Sequence, residues 1–153
     1  MSDYRIEKVR RRVELTLASG DKLAGDVFLQ AFARYRAGPE EPFDVLNEPD
    51  PFLPLALASG ELVLVQKSQI AVVTTELPDR DDAAETGLVG MNITLTLTRA
   101  GTLTGSIFPE VRSDRPRLMD FLNTNPLHFL LLFSADRLHI VGTAHIAFAK
   151  PST

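Results

Sequence analysis

The sequence contains no cysteine and no long apolar run. Without cysteine there is no disulfide framework, so a small domain of this chain must be held together by its apolar core. The longest apolar stretch, around Phe129–Phe133, is far too short to cross a bilayer as a helix, and we expect no membrane insertion. The N-terminus lacks the apolar segment of a signal peptide, and we therefore expect a cytoplasmic location.

Motifs for catalysis and for metal binding are also missing. No glycine-rich phosphate loop precedes a helix, and no serine or threonine stands in a nucleophile elbow. Acidic pairs such as Glu40-Glu41 fall in polar segments, where we expect them to be solvated and unable to act as a coupled acid–base pair. His128, His139 and His145 lack the further ligands that a zinc site needs. We expect a non-catalytic protein without a cofactor or a metal.

The net charge of −4 is unevenly distributed along the chain. Residues 1–12 carry five basic and two acidic residues and form a basic N-terminal arm. Within it, Arg10, Arg11 and Arg12 are a candidate electrostatic contact for an acidic partner. Residues 13–73 carry nine acidic and four basic residues. Because nucleic-acid surfaces need clustered Lys and Arg with interleaved aromatic residues, this distribution argues against nucleic acid as the partner.

A repeat of roughly sixty residues accounts for most of the remaining sequence. In both copies apolar and polar residues alternate with the period of two that is typical of half-buried strands. We therefore divide the chain into the arm, a first β module, an acidic linker that is expected to be exposed and mobile, and a second β module. The modules span 13–73 and 92–150, and the linker spans 74–91. The matched segments are Val13–Leu17 with Ile93–Leu97, Leu23–Phe28 with Leu103–Phe108, Asp44–Asn47 with Asp120–Asn123, Phe52-Leu53 with Phe129-Leu130, and Leu62, Val65, Ile70 and Ala71 with Leu138, Val141, Ile146 and Ala147.

Each module is predicted to contain five short antiparallel strands. Gly25 and Gly105 lie inside strands, where they predict a bulge or a sharp bend. Pro54 indicates an edge strand or a bulge, since proline cannot donate to a ladder. The predicted strands are 13–17, 23–28, 52–57, 62–65 and 70–73 in the first module, and 92–99, 102–109, 128–133, 137–142 and 145–149 in the second.

The elements Asp44/Asn47 and Asp120/Asn123 occur in both copies and are candidate structural turn motifs. Each is predicted to form one helical turn within a long loop. The aspartate would cap the turn, and the asparagine would end it in a left-handed conformation. The alternative is a contact with a ligand or a partner.

The pattern V-x-L-x-L-x-x-G-x-x-L-x-G-x-V over Val13–Val27 resembles the first half of the Sm and Sm-like motif. The hairpin Val65–Val73 is similar to the second half. The resemblance implies a strongly bent five-stranded barrel. The family's Arg-Gly pair that contacts RNA corresponds here to Gln66-Lys67 and to Gly142-Thr143, so RNA binding is not carried over. The D-x-L-N turn also resembles small uncharacterised bacterial β modules, a resemblance that implies no activity.

The predicted fold is all-β, with two tandem five-stranded Sm-like barrels or bent sheets related by a pseudo-two-fold axis. The predicted function is that of a non-catalytic interaction or adaptor protein in a bacterial cytoplasm. Its partner would be another protein or a second copy of the chain, bound at an exposed strand edge such as the one carrying Pro54. Two alternatives are an RNA-binding Sm-like regulator that uses the arginine arm, and a small-molecule binder or enzyme with a site between the modules.

Overall fold

A computed structural model describes residues 8–33, 38–77, 90–108, 118–125 and 127–152. Ten strands in these segments form one antiparallel sheet with two short helices, which confirms the predicted all-β class. Neither described helix has the length and apolar character needed to span a membrane. In chain order the elements are β1 (Lys8–Leu17), β2 (Lys22–Gln30), α1 (Pro42–Leu46), β3 (Phe52–Leu57), β4 (Leu62–Gln66), β5 (Ile70–Glu76), β6 (Met91–Leu97), β7 (Gly101–Ile107), α2 (Leu118–Thr124), β8 (Phe129–Phe133), β9 (Arg137–Gly142) and β10 (Ile146–Pro151).

The order of strands across the sheet contains the same arrangement twice. It runs β10-β6-β7-β8-β9-β5-β1-β2-β3-β4. The first strand set, β1–β5, is ordered 5-1-2-3-4, and the second strand set, β6–β10, follows the same order when its strands are counted from one to five. Ten strands therefore accommodate two five-stranded units, as the repeat predicts. Among the described strands, β4 and β10 are the two edges, each with a neighbour on one side only.

The two strand sets meet where β5 pairs with β9. A two-fold axis would pair equivalent strands, whereas β5 is the fifth strand of its set and β9 is the fourth of the other. The predicted pseudo-two-fold relation is therefore wrong, and the sets follow each other head to tail. Alternation of apolar residues identifies strands but does not specify which strand edges meet.

Pro54 does not lie on an edge strand, because β3 is flanked by both β2 and β4. The ladder between β2 and β3 covers only Leu55–Leu57 of β3, so Pro54 lies outside it. The missing N–H of the proline is thus tolerated without an edge position. The predicted edge is corrected to β4, the neighbouring strand.

Two strands of the first strand set, β1 and β5, extend beyond the predicted bounds of the first module. β1 begins at Lys8, so Arg10–Arg12 belong to a strand that pairs with β2 instead of to a separate arm. β5 continues to Glu76, into the predicted linker, because its last residues pair with β9. The start of β1 is rich in charged residues and the end of β5 is rich in threonine, so the apolar alternation is hidden there. Both strands continue through these residues because they pair with a neighbouring strand. Residues 78–89 of the predicted linker and residues 1–7 of the predicted arm lie outside the described residues.

Gly25 and Gly105 occupy equivalent places where neighbouring strands approach closely. A Cβ atom at Gly25 would lie 2.5 Å from the carbonyl oxygen of Ala56, and one at Gly105 would lie 2.6 Å from that of Phe133. The β1–β2 register passes through Gly25 without a shift. The register shows no bulge at either glycine, and the sharp bend stays a prediction. Close approach of the next strand accounts for glycine at both positions.

Candidate functional site

The junction between the strand sets is a continuous ladder that is covered on both faces. Val72 pairs with Val141 and Val73 with Ile140. All four residues of the run Ile70–Val73 are buried, which is typical of a strand with packed elements on both sides. The junction is therefore an interior part of the protein.

Hydrophobic side chains cross this junction in both directions. Phe129, Leu138 and Ile140 of the second strand set lie in the same core cluster as Val13, Leu15 and the other apolar residues of the first set. In return, Val72 of β5 lies in the core cluster of the second set. Because successive side chains of a strand point to opposite faces, the shared strands contribute to two cores at once. Each core is completed by residues of the other set.

Asn47 forms a polar contact across the junction. Its side-chain Oδ1 accepts a hydrogen bond from the backbone N–H of Phe129 at 3.1 Å, and its Nδ2 donates to the carbonyl oxygen of Phe43 at 3.1 Å. Phe129 is only 3% exposed, so its N–H needs a protein partner. Asn47 has φ −91° and ψ 0°, a right-handed conformation that differs from the predicted left-handed one. The sequence carries no signal for this partner, which lies 82 residues away.

Asp44 supports the start of α1 from inside the helix. The N-cap is Glu41, whose backbone N–H donates to Asp44 Oδ2 at 2.8 Å. Pro42 opens the helix, a position where its missing N–H is harmless. In the second set, Asp120 and Asn123 lie exposed on α2, and residues 109–117 before it are outside the described residues. The role expected of Asp120 and Asn123 stays a prediction.

Lys67 is a buried cation in the turn between β4 and β5. It is 8% exposed, and its Nζ donates to the carbonyl oxygens of Val45 at 2.7 Å and Glu48 at 3.2 Å. Burial lowers the pKa of Lys67, and the carboxylates of Glu48 and Asp50 act in the opposite direction. Its ammonium group ties the turn to the loop after α1. Thr143 matches Lys67 in the repeat. Its hydroxyl group donates a hydrogen bond to the carbonyl oxygen of His128, in the corresponding loop between α2 and β8.

Two histidines of the second strand set bond to the first. His139 Nδ1 lies 2.9 Å from Thr74 Oγ1, and His145 Nε2 donates to the carbonyl oxygen of Ser68 at 2.6 Å. Burial lowers the pKa of His139, and Arg137 lowers it further. Within the segments that the structure describes, no three His, Asp or Glu side chains converge as metal ligands would. These histidines join the two sets.

A cavity of about 320 Å³ opens at the same junction. Its lining combines apolar side chains with charged and hydrogen-bonding groups from both strand sets. Lys67, which lines it, already donates to backbone carbonyl oxygens. Among the lining residues are Leu46, Ile70 and Phe129 on the apolar side and Glu48, Asp50 and His145 on the polar side.

The β4 edge exposes large apolar side chains. Leu62 is 60% exposed and Leu64 is 65% exposed. Leu138 and Ile140, which stand 76 residues later on β9, are only 7% and 0% exposed, because β9 pairs with β5 and these side chains pack in the core cluster of the first strand set. The fourth strand of each set thus differs in exposure: β9 is covered at the junction, whereas β4 is uncovered at the end of the sheet.

The β10 edge is apolar as well and lies beside a groove. Phe148 on β10 is 59% exposed, and Met119 on α2 is 65% exposed. The groove has a volume of about 830 Å³ and runs between β10, the start of β6 and α2. Its lining includes Gly90, Met91, Leu118, Met119, Leu122 and Ala149.

The three arginines lie on β1, away from both ends of the sheet. The Cζ atom of Arg10 lies 5.2 Å from the ring centroid of Phe28, a cation–π distance. Arg10 and Arg12 are exposed and Arg11 is half-buried. Their role as an electrostatic contact stays a prediction.

No protein-family model matches the chain, and no curated protein or solved structure is significantly similar to it. Evidence for a function therefore comes from the geometry of the junction and of the two sheet edges.

Proposed function

We propose that the chain is a non-catalytic interaction protein, built from two Sm-like β modules in tandem, that binds protein partners by strand addition at β4 and β10. The observation that carries the proposal is the exposed apolar surface at both ends of the sheet, Leu62 and Leu64 on one strand and Phe148 on the other. An edge strand offers a row of unpaired N–H and C=O groups to an incoming strand. In strand addition the backbone hydrogen bonds give affinity, and contacts between side chains give specificity. The exposed apolar side chains of the edge strands would make such contacts with the partner.

The composition of β4 supports this use. Edge strands of monomeric proteins are usually protected by charged side chains, by proline or by a bulge. β4 reads Leu62-Val63-Leu64-Val65-Gln66 and contains none of these. An unprotected apolar edge can pair with a strand of another chain, and it promotes aggregation when no specific partner covers it. This composition therefore favours a specific partner strand at β4.

Site-specific photo-crosslinking tests the proposal. A photoreactive side chain at position 64 or 148 is expected to form covalent adducts with protein in cells that produce the chain. The control places the same side chain at Ala24, which is exposed on β2 in the interior of the sheet. Adduct formation at 64 and 148 that does not exceed the level at 24 would overturn the proposal.

The cavity at the junction supports a second candidate function, binding of a small molecule between the strand sets. It is of ligand size, and it combines an apolar wall with polar groups, as ligand sites do. NMR titration with a metabolite mixture tests it: shifts should centre on Ser68 and His145. Ala144, an exposed residue of the lining, provides the control, because Ala144→Trp would fill the cavity and abolish the shifts. Absence of any shift, or shifts that persist in Ala144→Trp, contradicts this candidate.

A further inference from the structure

We propose that the cavity at the junction binds a small organic cation, whose amine group faces Asp50 and whose apolar part lies against the apolar side of the cavity. This ligand class rests on the second candidate function, binding of a small molecule between the strand sets. Two features point to it: the charges that line the cavity, and the loop before β3, which presents Asp50 at the exposed side of the lining.

The charges around the cavity favour a cation over an anion. Two carboxylates, those of Glu48 and Asp50, line it together with one ammonium group, that of Lys67. The ammonium is directed at the protein, because two of its three hydrogens are donated to the carbonyl oxygens of Val45 and Glu48. Both carboxylates lie close enough to Lys67 to raise its pKa against the effect of burial. The excess of negative charge would attract an amine and repel a phosphate or a carboxylate.

The segment Pro49–Pro51 holds the backbone of Asp50 in one conformation. Each proline fixes its own φ, and Pro51 restricts the residue before it to extended backbone. Lys67 fastens the segment on both sides, since its Nζ donates to the carbonyl oxygen of Glu48 and its backbone N–H donates to that of Pro51 at 2.8 Å. Because this backbone is already ordered, binding of a cation to the Asp50 carboxylate costs little conformational entropy.

The second strand set lacks these carboxylates. Counted back from Phe129, which matches Phe52, their places are taken by Asn125 and Leu127. The groove beside β10 has no charged residue in its lining. The duplicated frame therefore does not require the two acidic residues, and they belong to the junction alone.

The rest of the lining supplies an apolar side and an uncharged acceptor. Leu46, Ile70 and Phe129 form the apolar side. His145 Nε2 carries the hydrogen of its 2.6 Å bond to Ser68, because a carbonyl oxygen can only accept, so Nδ1 of the neutral ring is an acceptor. The volume of about 320 Å³ is at the lower end of the range of about 300–1,000 Å³ for ligand sites, which restricts the cation to a small molecule.

NMR titration with matched probes tests the ligand class. Butylamine, cyclohexylamine and benzylamine are cations at neutral pH, and the corresponding alcohols have nearly the same shape without the charge. At least one amine should shift the amide signals of Ser68 and His145 and bind at least about tenfold more tightly than its alcohol, because the alcohol cannot form the ion pair. Benzoate, an anion, should cause no shift. Ala144→Trp, which would fill the cavity, should abolish the shifts.

Asp50→Asn tests the carboxylate itself. The new side chain has nearly the same size and the position is exposed, so the variant should fold normally. Its affinity for the amine should fall by about fivefold or more, while its affinity for the alcohol should not change. Glu61→Gln is the matched control, because it removes an exposed carboxylate outside the lining and should leave amine binding unchanged. Asp50→Lys should reverse the preference, so that benzoate binds and the amine does not.

Three results would overturn the cation as ligand: an amine that binds no better than its alcohol, amine binding that is unchanged in Asp50→Asn, and an equal loss in Glu61→Gln. Absence of shifts with all three amines would overturn it as well. If the amines fail but the metabolite mixture still gives shifts that Ala144→Trp abolishes, the ligand is of another class and the small-molecule function stands. If neither the amines nor the mixture cause shifts, both fail.

Discussion

The side-chain oxygen of Asn47 accepts a hydrogen bond from the backbone N–H of Phe129, a residue whose ring lies in the core of the first strand set. One side chain thereby holds together the loop after α1 and the first residue of β8. The contact anchors the second strand set at the point where its apolar side chains enter the first.

We predict that Asn47→Ala lowers the free energy of unfolding by about 1–2 kcal/mol, because it leaves the buried N–H of Phe129 without an acceptor. Chemical denaturation measures the change. Asn123, which matches Asn47 in the repeat, is exposed on α2 and provides the control. Asn123→Ala should change stability by less than about 0.5 kcal/mol. Equal losses in both variants would show that the cross-junction bond is not what distinguishes Asn47.

We predict that Gly25→Ala destabilises the protein by about 1–3 kcal/mol, because its Cβ would overlap the carbonyl oxygen of Ala56 on β3. Separation of β2 from β3 is the only way to make room, since the clash is with backbone. Thermal unfolding should show the loss, and Gly105→Ala should behave alike. The neighbouring substitution Ala24→Ser, at an exposed position of the same strand, is expected to be nearly neutral. A neutral Gly25→Ala would contradict the close approach.

We predict that Lys67→Met lowers the free energy of unfolding by about 1–3 kcal/mol, since the carbonyl oxygens of Val45 and Glu48 would lose their donor. Urea titration measures it. Lys22 provides a matched control: it is exposed, and its 3.8 Å ion pair with Glu14 is solvated. Lys22→Met should change stability by less than about 1 kcal/mol. A smaller effect at Lys67 than at Lys22 would refute the structural role of the buried ammonium.

We predict that stability decreases as the pH falls below 6.5, the ordinary pKa of histidine. Burial, together with Arg137, lowers the pKa of His139 in the folded chain, and Asp136 only partly opposes this. The unfolded chain therefore takes up this proton first, so the loss begins near pH 6.5 and levels off below the lowered pKa.

Denaturation series at several pH values measure this dependence. His139→Gln removes the titrating group and should reduce the slope of stability against pH between about 7 and 5. The comparison variant His128→Gln removes a histidine from an exposed position and should retain the slope. An unchanged slope in His139→Gln would exclude His139 as its source.

Local patterns in the sequence predicted the strands well. Alternation over Val13–Leu17 and over Ile93–Leu97 correctly placed the second half of β1 and most of β6, since half-buried strands impose that period. The arginines preceding Val13 hid the first half of β1, because a strand exposed on one face tolerates charge there. Its extension is due to pairing with β2, which no local pattern reveals.

Long-range geometry was not accessible from the same patterns. The partner of Asn47 lies far away along the chain, and the choice of β9 as the neighbour of β5 depends on how two complete strand sets pack. The repeat predicted two similar units and a two-fold relation, because identical patches are the simplest way for two copies to meet. The cores are completed instead by different surfaces, with Phe129 and Leu138 on one side and Val72 on the other.

The sharing of side chains between the two cores has a consequence for how the protein unfolds. Removing the second strand set would take Phe129, Leu138 and Ile140 out of the first core and expose the apolar run of β5. Neither half is then expected to fold stably by itself, even though the sequence pattern predicts two similar modules. Calorimetry should accordingly show one cooperative transition, with equal calorimetric and van't Hoff enthalpies, in a chain that its repeat would divide into two independent melting units.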